Sequence, residues 1–139
     1  MNEAFELDGR LRADTWFAAD WPLSTLLLMD HAAIPWFILV PRRPGLRELH
    51  DLGADDAAML ARESTALARA MQAAFEPETL NVAKLGNIVG QLHLHHVARQ
   101  PGDPAWPGPV WGVPAERGLE KHEAEVRIQR VLGLVEGLG

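Results

Sequence analysis

The chain has 139 residues, of which 47% are hydrophobic and 23% are charged. That length suits one domain with a buried core, and the composition disfavours disordered, collagen-like and coiled-coil chains. We therefore predict a single domain over residues 1–139. The absence of cysteine excludes disulfides, thiolate metal ligands and a cysteine nucleophile. A formal net charge of −6 disfavours nucleic-acid binding, although a small anionic ligand needs only local hydrogen-bond donors.

The N-terminal region and the apolar runs argue against secretion and against membrane insertion. Glu3, Glu6 and Asp8 stand where a signal peptide carries positive charge. The longest stretch without Asp, Glu, Lys or Arg covers residues 85–98, and it is polar in places and shorter than the ~18 apolar residues of a membrane span. We expect a cytoplasmic protein with no membrane partner.

The first half of the chain predicts strands. Residues 5–12 alternate weakly between apolar and polar side chains, which indicates a strand. The apolar runs at residues 26–29 and 36–40 are separated by a break at residues 30–35, a pattern that predicts a hairpin.

Helical spacing then replaces the strand pattern. Leu60, Leu67, Met71 and Ala74 recur on one helical face between Gly53 and Pro77. A second amphipathic helix is predicted near the C-terminus, where Ala124, Ile128, Val131 and Val135 form the apolar stripe.

Between the two helices, residues 79–82 and 91–99 are predicted strands, with a turn at Gly86-Asn87. Five prolines in residues 101–114 predict an irregular loop that carries Trp106 and Trp111. Strands in the first half and the middle, with helices between and after them, predict an antiparallel α+β domain.

The segment from Gln91 to Arg99 contains three of the six histidines. In a strand, Gln91, His93 and His95 share one face and His96 lies on the other. Such a row suits a phosphate group. Three interpretations compete: a strand that carries histidines by chance, a metal site using His93 and His95, and covalent catalysis in which an imidazole attacks phosphorus. Three histidines so close together in a chain of six disfavour the first. Asp103 is the only acidic residue between residues 79 and 115, so a third metal ligand would have to be Asp103 itself or come from a distant part of the chain. The distant candidates are Asp30, His31, His50 and His122.

The sequence QLHLHHVAR at residues 91–99 resembles the His-φ-His-φ-His-φ-φ signature of the histidine triad (HIT) superfamily of nucleotide hydrolases and transferases. The hairpin with Asp30 at its turn, the pair Arg42-Arg43, the long helix and Asn81 are similar in order and spacing to that family. Residues 103–112 resemble a bacterial subgroup of it. Gln91 replaces the first histidine of the triad, while His93 and His95 take the second and third positions, because Arg99 then keeps its place four residues after the third.

The resemblance implies a fold of about five antiparallel strands and two main helices, in a two-fold homodimer. It implies that His93 attacks the α-phosphorus of a nucleotide and that His95 stabilises the charge on the phosphate, with no metal and no cofactor. Gln91 would donate a hydrogen bond without delivering a proton. The expected nucleotide contacts are amide donation from Asn81 and Asn87 and acceptance of ribose hydroxyls by Asp30. Outside the site, we expect Arg99 to be solvated, His31 to lie at the surface, and Trp36 to pack in the core or at an interface. Two alternatives stay open: a non-catalytic nucleotide-binding module, and a metal-dependent enzyme that uses His93 and His95.

Overall fold

A five-stranded antiparallel sheet organises the chain, and the computed structural model describes residues 4–138 of it. The strands follow the sheet order β1-β2-β3-β5-β4. Their bounds are Thr15–Asp20 for β1, Ser24–Met29 for β2, Trp36–Pro41 for β3, Thr79–Ala83 for β4 and Leu94–Arg99 for β5. The predicted antiparallel α+β fold is confirmed, and so is the hairpin, which is formed by β2 and β3.

Within the described residues, three helices accompany the sheet: α1 at Gly9–Asp14, α2 at Ala54–Phe75 and α3 at Lys121–Leu132. A 3-10 turn covers Leu49–Asp51. The C-terminal cap of the long helix α2 is Glu76, which adopts a left-handed conformation with φ of 46° and precedes Pro77. A reciprocal capping box between Glu120 and Glu123 begins α3. None of the helices within residues 4–138 is long and apolar enough to cross a membrane.

The two faces of the sheet carry different layers. Leu26, Leu28, Phe37 and Leu39 belong to the core cluster that includes α2 and α3. On the other face, alternate residues of the same strands pack with Leu11 of α1 and Val110 of the proline-rich loop. Each fully buried aliphatic side chain contributes about 1.5–3 kcal/mol to folding, so both layers hold the sheet. Strand β5 lies between β3 and β4, and because side chains alternate along a strand, His95 and His96 are divided between the two layers.

Three predicted boundaries were wrong. Residues 5–12 form no strand: residues 4–8 lack regular structure and α1 begins at Gly9, because the Asp8 carboxylate accepts hydrogen bonds from the backbone of Arg10 and Leu11. The strand that carries His95 and His96, β5, begins at Leu94 and not at residue 91, so Gln91 and His93 precede it in the connecting segment. Helix α3 ends at Leu132, before Val135, with Gly133 at its C-terminal cap.

Candidate active site

A cleft of about 390 Å³ lies on the side of the sheet opposite α2 and α3. Five parts of the chain line it: helix α1, the end of β2, the segment connecting β4 to β5, the start of β5, and the proline-rich loop. The lining residues are Arg10, Leu11, Asp14, Met29, Leu85, Gly86, Asn87, Ile88, Val89, His93, His95 and Trp111. Two of the three predicted catalytic residues, His93 and His95, therefore face one cavity.

The backbone fixes the protonation of His93. Its Nδ1 lies 2.7 Å from the carbonyl oxygen of Gln91, and a carbonyl oxygen only accepts hydrogen bonds. The proton of the neutral ring is therefore on Nδ1, and Nε2 carries a lone pair. Nε2 is the nitrogen of this ring that has no partner within residues 4–138. His93 thus presents an imidazole lone pair, the group that a histidine nucleophile requires.

Trp36 fixes the opposite tautomer in His95. The indole Nε1 of Trp36, a group that only donates, lies 3.0 Å from Nδ1 of His95. The Nδ1 atom must accept this hydrogen bond, so the neutral His95 ring carries its proton on Nε2. Burial, reinforced by the nearby His93 and His96, lowers the pKa of His95 to about 3. His95 therefore stays neutral near pH 7 and presents an N–H donor.

The two imidazoles are neighbours with complementary functions. Their ring centroids are 4.8 Å apart and the rings meet edge to face. Trp111 packs against His95 with a centroid separation of 5.3 Å and closes the site on one side. One ring offers a lone pair and the next offers a proton donor, which is the pairing needed to attack a phosphorus atom and stabilise its oxygens.

His96 belongs to the opposite layer, as predicted from strand alternation. It is fully buried, its Nδ1 donates to the carbonyl oxygen of Leu94, and its Nε2 lies 2.8 Å from the hydroxyl of Ser64 on α2. Burial lowers the pKa of His96 to about 4. This neutral ring joins the sheet to α2 and does not reach the cleft.

The other predicted site residues lie in different surroundings, and not all of them face the cleft. Asn87 lines the cleft, whereas Asn81 accepts a hydrogen bond from Arg99 at 2.9 Å. Asp30 accepts hydrogen bonds from the indole of Trp16 and from the backbone of Leu119, and it borders a neighbouring depression. The Gln91 side chain contacts the N-terminal segment of the chain rather than the cleft.

Sequence reasoning missed a buried ion pair beside the site. Arg99, expected to be solvated, is buried and makes a two-pronged contact with Asp103 at 2.8 and 3.0 Å. The hydrogen bond from Arg99 lowers the pKa of Asp103 to about 2. Arg99 also donates to the carbonyl oxygen of Gly108 and stacks on Trp106, so it fastens the proline-rich loop to β5.

Two further residues near the site were given the wrong environment or role. His31 was expected at the surface and is buried, and its pKa is lowered chiefly by that burial. Trp36 was interpreted as packing alone, although its indole donates to His95. The position of Trp36 at the start of an apolar run gave no signal for this contact, since its partner is 59 residues away.

A metal site would need a third ligand besides His93 and His95. Within residues 4–138, no three histidine, aspartate or glutamate side chains are arranged so that they could hold a metal ion. Asp103, the one acidic residue near the histidine segment in sequence, is paired with Arg99. The geometry thus offers His93 and His95 without a third ligand.

Comparison with known proteins identifies the family. A family model described as the HIT domain matches residues 12–102. A histidine triad protein from Marinobacter aquaeolei VT8 is 42% identical with a TM-score of 0.93, covering 99% of this chain and 100% of that one. Histidine triad proteins from Bradyrhizobium japonicum and Sinorhizobium meliloti 1021 are 40% and 38% identical, each with a TM-score of 0.92. The former alignment covers 96% of this chain and 100% of that one, the latter 94% and 97%.

A search of curated proteins found no match. The family match, the solved relatives and the paired histidines agree. The chain belongs to the histidine triad (HIT) family.

Proposed function

We propose that the protein is a nucleotide hydrolase or nucleotidyl transferase that acts at the α-phosphate through His93. One observation carries this proposal: the neighbouring rings of His93 and His95 are held in opposite tautomers by Gln91 and Trp36. A site that only bound phosphate would gain from donors alone. Here one imidazole presents a lone pair, which is the requirement for nucleophilic catalysis.

In the first step, the Nε2 lone pair of His93 forms a bond to the α-phosphorus. The bond from phosphorus to the leaving oxygen breaks, and its electron pair departs with the leaving group. The ring becomes cationic, and its Nδ1–H is stabilised by the Gln91 carbonyl at 2.7 Å. In the second step, water attacks the phosphorus, the P–N bond breaks, and a nucleoside monophosphate and a proton are released. Another acceptor in place of water gives transfer.

His95 stabilises the charge on the phosphate oxygens. Its Nε2–H is a preorganised neutral donor, and removing one such donor from an active site costs about 10²- to 10³-fold in kcat. Asn87 lines the same cleft and supplies a second, uncharged donor. We keep Asn81 and Asp30 as proposed nucleotide contacts, although neither is among the cleft-lining residues and each has a partner within the protein.

The protonation of the site limits which leaving groups a substrate can have. His93 attacks the phosphorus, so it does not deliver a proton to the leaving group. His95, whose pKa is far below neutrality, is not cationic and does not act as the acid either. We therefore propose substrates whose leaving group departs as a stable anion, such as phosphate anhydrides, in preference to amines.

The test is a turnover assay on adenylated and guanylated compounds that differ in leaving group. His93→Ala should abolish turnover and retain nucleotide binding, while His122→Ala, which removes an exposed histidine on α3, should match the parent. Binding without turnover by the parent across the whole panel would instead indicate a binding module. Turnover that is lost in chelator and restored by a divalent metal would indicate the metal-dependent alternative.

A further inference from the structure

The side chain of Gln91 is fully engaged with the N-terminal segment, defined here as residues 4–14. Its Nε2 donates to the carbonyl oxygen of Glu6 at 2.9 Å. Its Oε1 accepts a hydrogen bond from the backbone N–H of Asp8, also at 2.9 Å. The carboxamide therefore bonds one backbone acceptor and one backbone donor, more than 80 residues away in sequence.

Asp8, which Gln91 holds in this way, is the N-terminal cap of α1. While its backbone N–H donates to Gln91, the carboxylate of Asp8 caps α1 through the backbone of Arg10 at 2.8 Å. Leu11 buries its side chain in the core on this face, with Phe5 and Leu7 packed against the same cluster. Apolar contacts and the Gln91 amide thus fix the N-terminal segment from two sides.

This segment forms one wall of the histidine cleft, through Arg10, Leu11 and Asp14. Arg10 is the one Lys or Arg among the cleft-lining residues of the described chain, and no carboxylate within residues 4–138 forms a salt bridge with it. An exposed guanidinium in a cleft with two imidazole rings is a donor suited to phosphate oxygens.

We propose that Gln91 is a positioning residue that tethers the N-terminal segment as a wall of the cleft, and that Arg10 on this wall binds a phosphate of the substrate beyond the one attacked. The inference rests on the proposed function and names its substrate class, a nucleotide with at least two phosphates. One residue then serves the site twice, since the Gln91 carbonyl orients His93 while its side chain holds the wall.

The tether and a direct catalytic contribution from the Gln91 side chain predict different kinetics. A donor to the attacked phosphate strengthens in the transition state, so its loss lowers kcat. A wall that binds substrate and transition state alike affects KM, because its loss weakens both equally. Gln91→Ala keeps the backbone carbonyl for His93 and removes only the carboxamide.

The chain offers a matched control in Gln100. Its Nε2 also donates to a backbone carbonyl, that of Glu76 at 2.9 Å, and it does not line the cleft. Hydrogen–deuterium exchange and steady-state kinetics are measured on the parent, Gln91→Ala, Gln100→Ala and Arg10→Ala, with a dinucleoside polyphosphate and a nucleotide p-nitrophenyl ester as substrates.

In Gln91→Ala, amide exchange within residues 4–14 should rise about tenfold, the factor set by losing two neutral hydrogen bonds. KM for the polyphosphate should rise by a similar factor while kcat stays within about threefold. Arg10→Ala should reproduce the KM change without the exchange change, and Gln100→Ala should show neither.

Unchanged exchange in Gln91→Ala, or a fall in kcat without a rise in KM, would overturn the tether. Equal KM changes for the ester and the polyphosphate in Arg10→Ala would overturn the substrate assignment. Failure of the parent to turn over any nucleotide would refute the proposed function instead, and the exchange comparison would still decide whether Gln91 holds the segment.

Discussion

Trp36→Phe tests the tautomer of His95. The substitution keeps an aromatic ring against His95, whose centroid lies 5.7 Å from that of Trp36, and removes the N–H that donates to Nδ1. Without that donor, Nδ1 can hold the proton, and Nε2 then loses its ability to donate to phosphate. The variant should therefore populate both tautomers.

The expected magnitudes follow from the buried hydrogen bond. Leaving a buried acceptor without a partner costs about 1–3 kcal/mol of unfolding free energy. Loss of the His95 donor in every molecule would lower kcat by about 10²- to 10³-fold, so comparable populations of the two tautomers should lower it about twofold, in proportion to the fraction that keeps the Nε2–H donor. KM should change little, because the donor acts mainly on charge that develops in the transition state.

The assay combines the nitrogen chemical shifts of His95, urea unfolding and steady-state kinetics. Trp111→Phe is the matched control for the tautomer, since the indole Nε1 of Trp111 is buried and has no hydrogen-bond partner in the described part of the chain, residues 4–138. This control should leave the His95 tautomer as it is in the parent and lose less stability than Trp36→Phe. Parent-like nitrogen shifts and parent-like kcat in Trp36→Phe would refute the assignment of tautomers.

Three further predictions concern the surroundings of the site. Because burial lowers the pKa of His96 from 6.5 to about 4, its stabilising contribution is complete above pH 6.5 and is lost as the pH falls towards 4. The unfolding free energy of the parent relative to His96→Gln should therefore drop by up to about 3 kcal/mol between pH 7 and pH 4, and a constant difference would contradict this. Asp103→Asn should cost about 3–5 kcal/mol in urea unfolding, because it leaves the buried Arg99 without its counter-charge, and a loss below about 1 kcal/mol would show that water replaces the carboxylate. Trp106→Ala should weaken nucleotide affinity or the predicted homodimer by loosening the proline-rich loop, and parent-like sedimentation and affinity would show that this indole only packs against Arg99.

Local pattern was enough to predict much of the fold. The β2–β3 hairpin and α2 follow from apolar runs and helical spacing with clear breaks on either side, and the structure has both. Strand alternation also placed His95 and His96 on opposite faces, because that alternation is a property of the backbone and needs no knowledge of the neighbours.

Contacts between distant parts of the chain could not be predicted from local sequence patterns. The pairing of Trp36 with Val97 depends on β5 inserting between β3 and β4, and this register brings the Trp36 indole to His95. Arg99 was misjudged for the same reason, since its burial depends on a loop that folds back onto β5. The strand β1 was missed because it lies at the edge of the sheet, paired with β2, and its residues are half-buried without a regular alternation.

The most direct test of the central claim is to trap the covalent intermediate. The parent is mixed with a nucleotide substrate, quenched within milliseconds under conditions that preserve phosphoramidate bonds, and analysed by intact mass and peptide mapping. We predict an added nucleoside monophosphate on His93, absent from His93→Ala and present in His95→Ala at a reduced rate of formation. An adduct on His95, or turnover by His93→Ala at the parent rate, would contradict the assignment of His93 as the nucleophile.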